Sequence, residues 1–376
     1  MTSTTHFVSV PSATIAVEEF GAGPALVLIH AGVTDRRSWR EVAALLADRY
    51  RVVTFDRRGF GETTHETASF SPLADLLAVL DALEIDTAVV GGCSNGGRIA
   101  MQAAIGAGER VGGLVLIDTA VDDGKPAAPH GDELVTLFAA IREAEAGNDI
   151  EAAIRLKAHL WLDGPLQSDG RVTGAARDLF LEMNRTAAAA VPAGDEIGVD
   201  PTLAQLAGLR HPTLVIVGEY DVAPLVTSAS TMASTLADAR LVVIPDSAHL
   251  PMLDAPEAFS VALAGFLAEL DAPASEPDTV TEAAAFLAVR GYDAELELRP
   301  DGLGAPGESV VQPFASAIVD YQFRFEGPSD PADEAIVLGI RCPAWNGKGV
   351  VISAFGPGAD PDETAILRSL ARPPAR

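Results

Sequence analysis

Up to about residue 120 the chain alternates short apolar runs with longer stretches of helical period, and this alternation restricts its fold more than any other feature. Short apolar strands separated by helices form a parallel sheet, because each crossover helix returns the chain to the end of the sheet where the preceding strand began. The runs are Val8 to Val10, Ile15 to Phe20, Ala25 to Ile29, Val52 to Phe55, Ala88 to Val90 and Leu114 to Ile117. Among the intervening helices, Ser71 to Leu83 has a capping serine, a proline suited to the first turn, and Leu73, Leu76, Leu77 and Leu80 on one face.

From about Val121 to Leu209 the helical period continues without a strand run, in Glu133 to Ala146, Ile150 to Leu160 and Ala175 to Ala189. The strand pattern returns in "TLVIVG" (Thr213 to Gly218) and "RLVVIP" (Arg240 to Pro245), and a helix follows from Pro256 to about Leu270. The order predicts a core of residues 1–121 and 207–270 carrying a helical lid, or cap, of residues 122–206. The stretch "DAPASEPDT", rich in Pro, Ala and acidic residues, reads as a linker over 271–279. Residues 280–376 suggest a small α+β domain: a helix at Thr281 to Arg290, strands in "YDAELELR", "IVDYQFRFE", "AIVLGIR" and "GVVISAF", and a closing helix at Asp362 to Ala371. A length of 376 residues accommodates two or three such units.

Composition removes several function classes. The net charge of −27 and the lack of a basic cluster argue against nucleic-acid and anionic-membrane partners, both of which need concentrated Lys and Arg. No apolar run approaches the roughly 20 residues of a membrane span, and "MTSTTHFVSVPSATIAVEEF" lacks the pattern of a signal peptide, so a cytoplasmic location is the default expectation. Cys93 and Cys342 are the only cysteines, too few for a disulfide framework, and neither has the neighbours of a zinc site.

"GGCSNGG" (91–97) sets a thiol beside a hydroxyl directly after the Ala88 to Val90 run and before a helical segment, Gly96 to Ala107. A nucleophile on a sharp strand-to-helix turn needs small residues two before and two after it. Centring on Ser94 places Gly92 and Gly96 there; centring on Cys93 places the larger Asn95 in the second slot. Ser94 is therefore the candidate nucleophile. The competing reading, a phosphate-binding loop, lacks the GK[ST] or GxGxxG ending.

In an open parallel sheet the active site lies beyond the carboxyl ends of the strands. Of seven histidines, only His30 in "LVLIHAG" and His249 in "DSAHLPM" follow strand runs; His6, His65, His130, His159 and His211 read as surface or packing residues. Candidate acids at strand ends are Asp221 in "VIVGEYD", Asp118 in "VLID" and Asp56 in "VTFD".

The order Ser94, Asp221, His249, with "HAGVTDRRSW", "DRRGFG", "GCSNGG", "GEYD" and "SAHLPMLDAPEAF" in register, makes the first 270 residues resemble the α/β-hydrolase superfamily, of the serine esterase and lactonase type. The resemblance implies an eight-stranded, mostly parallel sheet with a helical lid. It implies Ser94 as nucleophile, His249 as base, Asp221 as orienting acid, and the backbone N–H groups of Gly32 and Asn95 as an oxyanion hole. His30 becomes a support of the oxyanion loop, Asp56 and Arg58 become turn formers, and Asp118 is the second choice of acid. Ala31 departs from the usual glycine, and Cys93 and Asn95 from the usual flanks of the serine, which puts substrate shape in doubt. "LWLDGP" (Leu160 to Pro165) is similar to a stretch in the lids of proteins close to enol-lactone hydrolases. Trp161 is accordingly a pocket candidate, as is Leu250, although an aromatic before a DGP turn ordinarily packs.

The implied reaction is cleavage of a small carboxylic ester or lactone, requiring no metal or organic cofactor. A cofactor-free perhydrolase of the haloperoxidase type and a carbon–carbon bond hydrolase share the same residues, and outside enzymes the fold serves as a ligand receptor or scaffold. "YQFRFEGPSDPADEAIVLGI" and "NGKGVVISAFGPGADP" resemble small bacterial proteins of unknown function sometimes labelled phosphoribosylpyrophosphate synthetase, yet no nucleotide-binding loop accompanies them. Without a histidine beyond residue 280, that domain offers no second triad, and it reads as an accessory unit for oligomerisation or partner binding. The acidic run from Asp330 to Glu334 reads as a solvated turn.

Overall fold

The computed structural model describes residues 3–124, 131–271, 277, 279–288, 292, 294–299, 302–304, 311, 313–314, 317–325, 335–342, 347–354, 366–367 and 370. The chain divides into two compact units, Met1–Ala264 and Gly265–Arg376.

The first unit is built on a sheet of nine strands. In chain order its elements are β1 (Ser3–Val10), β2 (Ala13–Phe20), β3 (Ala25–Ile29), α1 (Arg40–Leu46), β4 (Arg51–Phe55), β5 (Thr64–His65), α2 (Pro72–Ala82), β6 (Ala88–Cys93), α3 (Asn95–Gly106), β7 (Val111–Ile117), α4 (Asp132–Ala146), α5 (Ile150–Ala158), α6 (Ala175–Ala189), α7 (Leu203–Leu206), β8 (Thr213–Gly218), α8 (Ala223–Thr235), β9 (Ala239–Ile244), α9 (Pro251–Asp254) and α10 (Pro256–Leu270), the last crossing the division between units. Eight strands run in the order β1-β2-β4-β3-β6-β7-β8-β9, and the two-residue β5 pairs with β2 off this path. Pairing is parallel from β4 through β9 and antiparallel where β2 meets β1, β4 and β5.

Local chemistry explains these elements. The central strands carry apolar residues on both faces because helices cover both, and β3, β6, β7 and β8 are almost wholly buried. At α2 the Ser71 hydroxyl accepts from the Ala74 N–H at 3.2 Å and Pro72 opens the helix; Leu76 and Leu80 are buried, with Leu73 and Leu77 packed at the edge of the same core. Among the described residues, the elements between β7 and β8 are helical, α4 to α7, with no strand. Helix α5 stops at Ala158 and passes into a π-helical turn, His159–Asp163, a form often found beside functional sites. The expected helix from Ile150 to Leu160 therefore ends two residues sooner.

Register aligns the strand ends. Ile29 lies opposite Gly92, Cys93 opposite Ile117, Ile117 opposite Ile216, and Gly218 opposite Ile244. The segments that follow these strands, carrying His30, Ser94, Asp118, Asp221 and His249, consequently emerge at one end of the sheet.

In the second unit a helix α11 (Val280–Ala288) accompanies strands β10 (Ala294–Glu295), β11 (Glu297–Arg299), β12 (Gly302–Gly304), β13 (Ile318–Phe325), β14 (Ala335–Cys342) and β15 (Gly347–Ala354). Four form a sheet in the order β10-β15-β14-β13, and β11 pairs with β12. Most of the 271–279 stretch, the Asp330 to Glu334 run and most of the Asp362 to Ala371 segment fall outside the described residues.

Candidate active site

Ser94 stands between β6 and α3 with φ 54° and ψ −114°, a left-handed conformation that a residue with a side chain adopts only when its surroundings impose it. The imposition comes from close packing. A Cβ placed on Gly92 would lie 2.6 Å from the Gly97 nitrogen and closer still to the Gly96 carbonyl. One on Gly96 would lie 2.7 Å from the Ile29 carbonyl carbon and 2.8 Å from the His30 oxygen. Gly92 thus lets the start of α3 fold back onto β6, Gly96 presses the turn against the β3 exit, and the Ser94 N–H is fixed to the Ile117 carbonyl at 2.8 Å.

The Asp221 turn and the His249 loop interlock in the same way. A Cβ on Gly218 would meet the Ser247 oxygen at 2.7 Å, and the Tyr220 N–H donates to that oxygen at 2.8 Å. Both candidate side chains are buried: Nδ1–H of His249 donates to Oδ2 of Asp221 at 2.9 Å, while Oδ1 of Asp221 accepts from the Val222 N–H at 2.7 Å. With Nδ1 engaged, Nε2 is the ring nitrogen left to act as a base. The Cys93 thiol donates to the His249 carbonyl at 3.3 Å, joining the Ser94 turn to this loop. Among the described residues Oγ of Ser94 makes no hydrogen bond.

Asp118, the second choice of acid, has φ 47° and is fully buried; its Oδ1 accepts from the Gly218 N–H at 2.9 Å. Burial, and then the adjacent Asp221 carboxylate, push its carboxyl well above the usual range. Asp118, Asp221 and His249 are the one set among the described residues whose potential metal-binding atoms lie together, within 4.8 Å. A cation there would have to displace the Asp221–His249 bond.

His30 is held from both sides. Its Nδ1–H donates to the Ala31 carbonyl at 2.7 Å and its Nε2 accepts from the Arg57 N–H at 3.0 Å, an arrangement that requires the neutral ring; burial and then Arg57 keep its pKa well below the ordinary histidine value. Arg57 also donates from Nη2 to the Ala31 oxygen at 3.1 Å and lies over Phe60; burial brings its pKa down to about 10. Sequence reasoning passed over Arg57 because it sits between two recognisable turn residues. Those two behave as turn formers: Asp56 accepts from the Arg36 and Glu62 N–H groups at 2.8 Å, and Arg58 donates to both oxygens of Asp75. Gly32, next to Ala31, is exposed. Asn95 opens α3, so its N–H belongs to the helix's unpaired first turn, and its side-chain oxygen is taken by Arg98 at 2.9 Å.

Trp161, on the π-helical turn, places its ring 4.5 Å from that of His249, centroid to centroid, and edge-on to Phe138. Leu250 is fully buried at the start of α9. The remaining described histidines serve elsewhere: His6 contacts Glu19 at 2.7 Å, His159 the Gln167 carbonyl at 3.0 Å, His211 the Gly108 carbonyl at 3.0 Å, and His65 lies in β5; His130 falls outside the described residues. Among the described residues no helix is long and apolar enough to cross a membrane.

Comparison with known proteins places this geometry. A model of the alpha/beta hydrolase fold family matches residues 24–256. A 2-hydroxymuconate semialdehyde hydrolase of Pseudomonas sp. (strain CF600) is 32% identical, the match covering 69% of this chain and 92% of that protein. A pimeloyl-[acyl-carrier protein] methyl ester esterase of Nitrosomonas europaea is 30% identical over 66% of this chain and 97% of its own length. Among solved structures, a thermophilic esterase from Thermogutta terrifontis superposes with a TM-score of 0.56 at 26% identity, covering 72% of this chain and 99% of that one. The family match ends at residue 256, within the first unit. On the strength of a family match over more than half its length, the chain belongs to the alpha/beta hydrolase fold family and is an enzyme of the hydrolase type.

Proposed function

We propose that the chain is a serine hydrolase that cleaves a small carboxylic ester or lactone through an acyl-enzyme, with Ser94 as nucleophile, His249 as base and Asp221 as orienting acid. The observation that carries this reading is the buried Nδ1–H to Oδ2 bond of His249 and Asp221, set at the strand ends beside a serine in left-handed conformation. His249 takes the Ser94 proton through Nε2 as Oγ attacks the carbonyl, and Asp221 fixes the tautomer and stabilises the imidazolium. The developing oxyanion is received by the N–H groups of Gly32 and Asn95, donors of a kind worth roughly 3 to 4 kcal/mol each in serine enzymes. His249 then returns the proton to the leaving alcohol and activates a water for deacylation.

The helices between β7 and β8 act in this proposal as a lid over residues 122–206, on a core of 1–121 and 207–270, and Trp161 and Leu250 contribute to the substrate pocket. The proximity of Trp161 to the His249 ring supports its part. Residues 271–279 are the linker and 280–376 an accessory domain for self-association or a partner protein. Deleting 275–376 tests that role: mass in solution or esterase rate changes if the domain serves either, and unchanged values dismiss it. The composition supports a cytoplasmic enzyme with a small-molecule substrate.

A second reading, hydrolysis of a carbon–carbon bond in a vinylogous diketone, is favoured by the name of the Pseudomonas relative. A screen of esters, lactones and vinylogous diketones, with and without hydrogen peroxide, against wild type and Ser94→Ala separates the readings. Turnover of esters or lactones lost in Ser94→Ala supports the proposal. Turnover of diketones alone gives the second reading, peroxide-dependent turnover alone makes it a perhydrolase, and ester turnover that survives in Ser94→Ala refutes the mechanism.

A further inference from the structure

The helical insertion is fastened to the histidine loop by one guanidinium. Nε of Arg171 donates to the Asp163 carbonyl at 2.7 Å, Nη2 to the Leu162 carbonyl at 2.8 Å and to Oδ2 of Asp254 at 2.7 Å, and Nη1 to the Asp246 carbonyl at 2.6 Å. Its plane also lies over Tyr220, 5.4 Å from the ring centre. Two of the acceptors, Leu162 and Asp163, directly follow Trp161 on the insertion. The other two, Asp246 and Asp254, bracket His249.

Asp254 extends the connection to the residues just before the histidine. Its side chain is fully buried; Oδ1 accepts from the Ser247 hydroxyl at 2.6 Å and Oδ2 from the Ala248 N–H at 2.8 Å. Burial raises its carboxyl, and the bonds from Ser247, Ala248 and Arg171 oppose that rise. Asp163 secures the other end, its carboxylate accepting from the Gly170 and Val172 N–H groups at 2.9 Å and from Arg177 at 2.7 Å, which shapes the turn that presents Arg171.

We infer that Arg171 is a positioning residue, coupling the seating of the helical insertion to the orientation of His249. The inference rests on the role proposed for His249. A buried carboxylate deprived of its cation is costly, so loss of Arg171 drives Asp254 to take up a proton or to move, and either disturbs the Ser247–Ala248 backbone that carries the histidine. The same loss frees the Leu162–Asp163 turn and with it the Trp161 ring. Lysine cannot replace arginine here, because a single ammonium does not span four acceptors arranged around a planar fork.

The test uses the full chain with Arg171→Met, Arg171→Lys and, as control, Arg185→Met, which removes the exposed Arg185–Glu151 pair inside the insertion and touches neither Asp163 nor the histidine loop. With p-nitrophenyl butyrate, Arg171→Met lowers kcat by between about ten- and a hundredfold, the scale of a misplacement near 1 Å. KM stays within about twofold, as befits loss of positioning rather than of binding. Arg171→Lys falls between Arg171→Met and wild type, and serves alone if the methionine variant does not fold; Arg185→Met keeps kcat within about twofold. An activity-independent readout is the Trp161 emission at one fixed pH, taken as the difference from Trp161→Phe, because its ring lies against that of His249. That difference emission shifts in Arg171→Met, where the ring contact opens, and matches wild type in Arg185→Met. Wild-type kcat and emission in both Arg171 variants, or equal losses in Arg185→Met, overturn the inference. Failure of wild type to hydrolyse any ester while the emission still responds to Arg171→Met would instead count against the proposed reaction and leave the coupling supported.

Discussion

Replacing Gly96 by alanine adds one methyl group at the most crowded point of the Ser94 turn. The new Cβ would lie 2.7 Å from the Ile29 carbonyl carbon and 2.8 Å from the His30 oxygen, both backbone atoms of a buried strand exit with no rotamer to yield. Carbon contacts become comfortable only near 3.5 Å, so relief requires the turn and β3 to separate by on the order of 1 Å. Overpacking of this kind costs roughly 1 to 3 kcal/mol or more of stability. Because Ser94 and the Gly32 loop lie on opposite sides of that gap, the separation also moves the proposed nucleophile away from the proposed Gly32 donor, lowering kcat by about a hundredfold for a displacement near 1 Å. The control is Gly106→Ala at the far end of the same helix, where the Cβ meets only the flexible end of Leu73 at 3.1 Å. That change is neutral or stabilising by up to about 1 kcal/mol, since alanine favours helix over glycine. Urea unfolding and p-nitrophenyl butyrate hydrolysis measure both variants. Wild-type stability and rate in Gly96→Ala, or equal effects from the two alanines, refute the reasoning.

Asp221→Asn lowers kcat by about 10⁴-fold, as loss of the orienting charge does in serine proteases, whereas Asp118→Asn lowers it less than about tenfold; the reverse order in steady-state kinetics would move the acid to β7. His30 sets a pH limit on stability. Its unfolded pKa is near 6.5 and its folded value is well below, so under that pH the unfolded chain binds a proton that the folded chain does not. Stability from this residue is thus complete above about pH 6.5 and is lost as pH falls toward the folded value, and thermal melts of His30→Gln show a smaller drop in Tm between about pH 7 and pH 5 than wild type. Cys93 is fully buried, and burial followed by the Asp118 and Asp221 carboxyls raises its thiol well above the usual value, so peptide mapping finds it unmodified by iodoacetamide at neutral pH in the folded chain and alkylated in urea.

Most of this site is legible in the sequence because its requirements are local. The turn at Ser94 declares itself through Gly92 and Gly96, whose missing side chains are needed within five residues of one another. The Asp221 and His249 loops follow apolar runs, and a parallel sheet delivers every such loop to the same end. The arginines escape this logic. Arg171 meets Asp254 across 83 residues, and nothing in either local segment marks the partnership. The Arg57 guanidinium donates to a carbonyl 26 residues away, a backbone acceptor that any residue could supply. Strand β5 is two residues long and exists only because β2 offers it an edge, so periodicity cannot signal it. The π-helical turn under Trp161 is likewise set by tertiary packing, since the five residues His159–Asp163 read as an ordinary continuation of α5.

The central claim is that Ser94, and not its neighbour Cys93, is an activated nucleophile. Exposing the folded full chain and its Ser94→Ala variant to a fluorophosphonate, then locating the adduct by peptide mass spectrometry, tests it most directly. The account predicts a single adduct on Ser94 in wild type and none in Ser94→Ala. An unlabelled wild type, or an adduct that persists in Ser94→Ala, contradicts it.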